Sequence, residues 1–303
     1  MDSKELKAFV ENNPKLVVRK QSKRYPSLFV LKYTRKVFYD NLWSVNPLLL
    51  ECRGLVVDEN YNVVVKPFTK VFNHGENGTT FDPEAKCTVV RKVNGFMACA
   101  TRDRRYSNNL IISTTGSLDS EHVDIAARHI PAGWYDYFQE GETMIFEICD
   151  PDDPHIVHEH PGAYLIGGGA NIGSHFIPWS ESTLNYMADE FGMYRPECCH
   201  GMMFKDVVEL AAKVDHEGYM VYSDGKGLKI KSPYYLTTKF LARMGDAKLA
   251  NILHNGNIRE AMRNFDEEFY PLIKHVKSLG TEFFGIGEQE KIKIIKGFLS
   301  RKE

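Results

Sequence analysis

Apolar residues in this chain recur mainly in short runs bounded by turn residues, which is the signature of strands. RGLVVD (53–58) and NVVVKPF (62–68) form two such runs, separated by Glu59-Asn60-Tyr61. CTVVRK (87–92) and FMACATR (96–102) flank Asn94-Gly95, a dipeptide that predicts a hairpin. LIIST (110–114), TMIFEIC (143–149), AYLIG (163–167) and HFIPW (175–179) are further predicted strands. EGYMVYS (217–223) and KGLKIKS (226–232) predict a hairpin around Asp224-Gly225. Helical spacing is present at 3–12, 120–130, 180–192 and 203–214. From Tyr234 the pattern turns helical, with an amphipathic run near 256–279 and another at 288–302. Pro233 ends the last strand, so a boundary is expected there: one domain over 1–233 and a helical one over 234–303. Strands first and helices afterwards predict an α+β protein.

Composition adds little to this. The 303 residues are 43% apolar and 26% charged, ordinary values for a globular protein. No apolar run is long enough to span a bilayer, and the polar start lacks a leader's apolar stretch, so a cytoplasmic protein without a membrane partner is expected. For a chain of viral origin that means the host cytoplasm. The six cysteines have no disulfide-framework spacing and are expected to be reduced. Cys198-Cys199-His200 lacks a second pair of zinc ligands, and His155, His158 and His160 read as a polar loop. Gly167–Gly173 is read as a loop between strands, since no helix follows it.

Charge is unevenly distributed along the chain. The net charge is −2, but residues 1–223 carry 23 basic and 30 acidic side chains, and residues 224–303 carry 15 and 10. No acid falls between Glu11 and Asp40, where eight Lys and Arg are interleaved with Tyr25, Phe29, Tyr33, Phe38 and Tyr39. Such a stretch can track a phosphate backbone, or it can be a solvated edge strand or loop.

The candidate chemistry is a series of short pieces. Lys92-Val-Asn-Gly95 lies between two strands, Glu147 inside a strand, Glu217-Gly218 at the start of another and Lys229-Ile-Lys231 in the next. Alternation puts Lys229 and Lys231 on one face and turns Ile230 to the core. Two cations on one face suit a polyphosphate. With its reference pKa near 10.4, about one lysine in a thousand is neutral at physiological pH, so a nucleophilic Lys92 needs nearby cations or desolvation. Gly95 lets the chain turn tightly and removes a side chain that would obstruct a phosphate. Glu147 and Glu217 can accept ribose hydroxyls or hold a metal through water.

In that order, these segments resemble the ATP-dependent RNA ligases of the T-even phage type, within the covalent nucleotidyltransferase superfamily. Glu51-Cys-Arg53-Gly-Leu-Val, Lys66-Pro-Phe-Thr-Lys70-Val-Phe72-Asn73 and the Phe72-Asn-His-Gly-Glu76 pattern add to the likeness. It spans about residues 30–235 and implies a nucleotidyltransferase (ATP-grasp-like ligase) domain of antiparallel sheets plus a small helical C-terminal domain. The implied activity joins RNA 5′-phosphate and 3′-hydroxyl ends through lysyl-AMP on Lys92, with ATP as substrate and Mg2+ or Mn2+ as cofactor. The resemblance puts Tyr33 or a nearby aromatic on the nucleotide, Arg53 and Glu147 at its ribose, and Lys70, Lys229 and Lys231 on phosphates. It assigns Phe72 and Gly95 to the nucleotide pocket. Glu217 would support the metal through water, with Glu147 a weaker candidate. RNA, broken tRNA included, is the implied partner, and a monomer is expected.

The chain departs from the family pattern at Asn94, Thr115 and Gly169, and its helical tail is short. A capping guanylyltransferase, a DNA ligase and a non-catalytic RNA-binding protein on a ligase scaffold are the alternatives.

Overall fold

The computed structural model describes residues 1–106, 109–172 and 175–299. Contacts divide the chain into two compact units. The first comprises Met1–Lys70 and Val93–Pro196, and the second Val71–Lys92 and Glu197–Glu303. Among the described residues, thirteen strands form three antiparallel sheets. In chain order they are β1 Val17–Gln21, β2 Leu28–Tyr33, β3 Arg53–Asp58, β4 Val63–Val65, β5 Lys86–Arg91, β6 Phe96–Thr101 and β7 Ile111–Thr114. There follow β8 Glu142–Cys149, β9 Gly162–Ile172, β10 His175–Pro178, β11 Cys198–Met203, β12 Gly218–Ser223 and β13 Lys226–Lys231.

The first unit contains the sheets β1-β2-β3-β4 and β10-β9-β8-β6-β7. Strands β6 and β8 are buried on both faces, which is why their sequences are continuously apolar. Met97, Cys99 and Ile145 pack with Leu28, Val30 and Val56 of the other sheet. Ala98, Ala100, Met144, Phe146 and Ile148 pack on helices Glu121–His129 and Glu181–Phe191.

In the second unit, the sheet β11-β5-β12-β13 carries helix Phe204–Ala211 on its apolar face. The residues after Pro233 form helices with their own core around Phe240, Phe269, Phe283 and Ile295. That separate core follows the change of periodicity at 233, although contacts group the helices with the four-stranded sheet in one unit.

Three local expectations are corrected. Asn94-Gly95 is not a hairpin turn, because β5 pairs with β11 and β12 whereas β6 pairs with β7 and β8. Gly95 is needed for a different reason: a Cβ there would lie 2.1 Å from the Ile148 carbonyl oxygen. The glycine run is not a loop, since Gly167, Gly168 and Gly169 lie inside β9 and have aromatic rings packed on them. Phe68 occupies the space of a Gly167 side chain and Trp179 that of Gly168. Gly173 lies outside the described residues, as do 300–302 of the predicted last helix. The predicted strand 62–68 ends at Val65, ahead of Lys66-Pro67, because proline offers no donor to a ladder. The hairpin around Asp224-Gly225 forms as expected, with φ values of 49° and 73° at its two turn residues.

Candidate active site

In the second unit, three predicted residues meet at one end of neighbouring strands. Lys92 follows β5, and its backbone N–H donates to the Gly218 carbonyl at 2.9 Å. Glu217 precedes β12, and Lys231 ends β13 opposite Gly218. Only glycine fits at 218, where φ is 123° and a Cβ would sit 2.0 Å from the Ile230 carbonyl oxygen. That glycine lets β12 and β13 close up, so the side chains at the strand ends converge.

Glu217 is 3% exposed. Its Oε2 lies 3.2 Å from Lys92 Nζ and its Oε1 3.4 Å from Lys231 Nζ. Burial opposes its charge, but Lys92 and Lys231 outweigh burial and hold its carboxyl below the usual range. Burial likewise opposes the Lys231 charge, and Glu268 and Glu217 together raise its pKa above the ordinary lysine value. The immediate neighbour of Lys92 in this cluster is therefore a carboxylate, not a bare cation as the nucleophile argument expected.

Lys229 shares the Lys231 face of β13, while Ile230 enters the core as predicted. The Lys229 backbone N–H donates to the Phe72 carbonyl at 2.9 Å, and the His74 N–H donates to the Lys229 carbonyl at 2.8 Å. Phe72 is thus fixed alongside β13. The Phe72-Asn-x-x-Glu76 pattern has a local cause. The backbone and side-chain N–H groups of Asn73 both donate to Glu76 Oε2 at 2.9 Å.

The first unit carries the other predicted residues. Tyr33 meets Trp43 edge-on, with ring centroids 4.9 Å apart. Lys70 is buried, and its ammonium lies 5.3 Å from the Trp43 ring and 5.9 Å from that of Phe38. Tyr33, Phe38, Trp43 and Lys70 are therefore one group. Trp43 was missed in the sequence because it belongs to no motif piece and lies in a 3-10 turn, Leu42–Ser44. Arg53 Nη1 reaches the Met97 sulfur at 3.6 Å, and Met97 is the register partner of Glu147 across β6 and β8. Glu147 is buried and accepts the Gly95 N–H at 3.2 Å.

The departures also have local explanations. Asn94 Oδ1 accepts the Val157 N–H at 2.9 Å and the Asn94 N–H donates to Glu159 Oε1 at 3.3 Å, which ties down the histidine-bearing loop. A Cβ at Gly169 would meet the Ile177 carbonyl oxygen at 2.4 Å, so an arginine has no room there. Nothing in the structure explains Thr115.

In the basic stretch, several cations already have partners. Arg19 lies 3.4 Å over the Phe29 ring, Arg24 pairs with Asp124 at 2.7 Å and Lys36 with Asp40 at 2.5 Å. β1 is an edge strand, which was one of the two readings of this stretch. Burial pushes the Cys52 and Cys99 thiols up to about 12. Cys198 Sγ lies 3.7 Å from His200 Nε2. Among the described residues no group of three or more His, Cys, Asp and Glu could hold a metal ion. No helix among them is long and apolar enough to cross a membrane.

The fold is that of ligase nucleotidyltransferases. An archaeal ATP-dependent RNA ligase (form 1) superposes with a TM-score of 0.60 at 11% identity, covering 99% of this chain and 78% of that one. Form 2 of the archaeal enzyme gives 0.58 at 11% identity, covering 98% and 75%. A putative ATP-dependent DNA ligase from Aquifex aeolicus gives 0.59 at 13% identity, covering 97% and 76%. Among curated proteins, none matches the sequence. A family model described as RNA ligase, of the T4 type, matches residues 51–240, and the chain belongs to that RNA ligase family.

Proposed function

We propose that this RNA ligase uses ATP and proceeds through lysyl-AMP on Lys92. The observation that carries this reading is the convergence of Lys92, Glu217 and Lys231 at one end of β5, β12 and β13. In the first step Lys92 Nζ, having lost a proton, bonds to the α-phosphorus of ATP as the bond to pyrophosphate breaks. An oxygen of an RNA 5′-phosphate then takes the AMP, breaking the N–P bond. Finally an RNA 3′-hydroxyl attacks that 5′-phosphate and AMP leaves. Each step is a displacement at phosphorus, where positioning and charge neutralisation dominate. Glu217 fixes the position of the Lys92 ammonium before the proton is lost, and Lys231 and Lys229 offer cations to phosphate oxygens.

Arg53 and Glu147 are assigned to the ribose, Lys70 to a phosphate, and Tyr33, Phe72 and Gly95 to the nucleotide pocket. Those roles rest on the order of the sequence segments. The donor set does not form a metal site from protein groups alone, since Glu217 is engaged by two lysines and Glu147 by the Gly95 N–H. A divalent ion, Mg2+ or Mn2+, would take most of its ligands from triphosphate and water, and when bound it neutralises phosphate charge. We further assign 1–233 to nucleotidyl transfer and 234–303 to a helical appendage.

The test is incubation with α-labelled ATP and a divalent ion, followed by 5′-phosphorylated RNA. Label is expected on the protein first and on RNA 5′ ends next. Label taken up from GTP instead would favour a capping activity, and sealing of nicked DNA but not RNA would contradict the substrate assignment.

A further inference from the structure

Lys231 is held by two carboxylates. One partner, Glu217, was legible in the sequence. The other, Glu268, was not, and it lies beyond the 51–240 segment that matches the ligase family. Glu268 occupies the short turn Glu267–Phe269 between helices Ile258–Asn264 and Tyr270–Leu279. The next residue, Phe269, is fully buried in the helical core and anchors that turn. The Glu268 carboxylate bonds Lys231 through Oε2 and lies 3.0 Å from Lys239 through Oε1. Its side chain is 8% exposed. Asp266 continues the series, 3.2 Å from Lys239 and 2.9 Å from Arg243.

The charges therefore alternate from the nucleophile outward: Lys92, Glu217, Lys231, Glu268, Lys239, Asp266, Arg243. Lys231 has a long flexible side chain, and with Glu217 as its only acid it would fold fully onto that carboxylate. Glu217 would then be drawn away from Lys92. A second carboxylate on Lys231, that of Glu268, opposes this. Burial between two cations also makes Glu268 a fixed support, because a buried charge left without its partner is strongly disfavoured.

We propose that Glu268 is a positioning residue for lysyl-AMP formation, acting through Lys231, so that the helical tail supplies part of the adenylylation machinery. This rests on the reading of Lys92 and Lys231 given above. Charge in the cluster agrees with it: burial opposes ionisation of Glu268, but Lys231 and Lys239 bring its pKa down to about 2.

The experiment is single-turnover lysyl-AMP formation by the full chain with ATP and Mg2+, in the wild type, Glu268→Gln, Glu268→Asp and Lys277→Met. Lys277 donates to the Leu253 carbonyl at 2.6 Å within the same group of helices, so its variant reports a purely structural loss. Folding is checked by circular dichroism. Glu268→Gln is expected to slow adenylylation about tenfold or more, Glu268→Asp to recover part of it, and Lys277→Met to stay within about twofold of wild type. Wild-type rates in folded Glu268→Gln, or an equal loss in Lys277→Met, would overturn the proposal. Should Glu268→Gln not fold, Glu268→Asp decides. A loss of about threefold or more supports the role, and an unchanged rate overturns it. Failure of the wild type itself to form the adduct would instead contradict the nucleotidyl-transfer reading.

Discussion

Lys92 and Lys231 are held by opposite oxygens of one buried carboxylate, that of Glu217, at 3.2 and 3.4 Å. The proposed nucleophile and a second lysine are thereby held at a fixed spacing by one side chain. Three strands enforce the arrangement, and Gly218 permits it by letting backbone pass where a Cβ would collide.

Glu217→Gln should remove a buried charge from between two half-buried cations. Breaking such pairs costs about 3–5 kcal/mol, so the melting temperature should fall clearly and lysyl-AMP formation should drop by about a hundredfold. Calorimetry and the single-turnover adduct assay check the two effects separately.

Gly218→Ala should be more damaging than its one added carbon suggests. The methyl would sit 2.0 Å from the Ile230 carbonyl oxygen, at a φ of 123°. It should push apart β12 and β13 and lose about 2 kcal/mol or more, with adenylylation falling alongside. Gly133→Ala meets nothing within 4 Å and should melt close to wild type.

Acid should unfold the second unit partly through Glu268. Its folded pKa of about 2 lies below the ordinary value of 4.5. A depressed carboxyl contributes stability that is fully present above about pH 4.5 and is lost as pH falls toward 2. Melting temperature measured from pH 7 to pH 3 should therefore fall less steeply in Glu268→Gln than in wild type.

RNA sealing should weaken as salt rises, while lysyl-AMP formation from ATP should change less. Only sealing requires contacts along a nucleic-acid backbone, and those release counterions. Parallel assays over a salt series check this, with equal sensitivity of the two steps as the contrary result.

Much of the fold was legible because local chemistry and tertiary packing agree. Strand β3 begins and ends where the apolar run RGLVVD does, and the Asp224-Gly225 hairpin follows from residues suited to positive φ. Where they disagree, the distant neighbour decides. Asn94-Gly95 has a hairpin's composition, but β5 and β6 join different sheets, and no local pattern reports which strand a segment will pair with. The glycines of β9 looked like a loop because the aromatic rings that fill their space, Phe68, Phe176 and Trp179, are outside the run itself. At the site, Lys92, Glu217 and Lys231 were found by order and strand alternation. Glu268 was not, because it sits in a helical turn 37 residues after its partner and belongs to no motif.

Covalent chemistry at Lys92 is tested by the intact mass of the protein after incubation with ATP and Mg2+, compared with Lys92→Ala treated in the same way. One AMP adduct is expected on the wild type and none on the variant. An adduct that persists on Lys92→Ala, or a folded wild-type protein that takes up none, would contradict that chemistry.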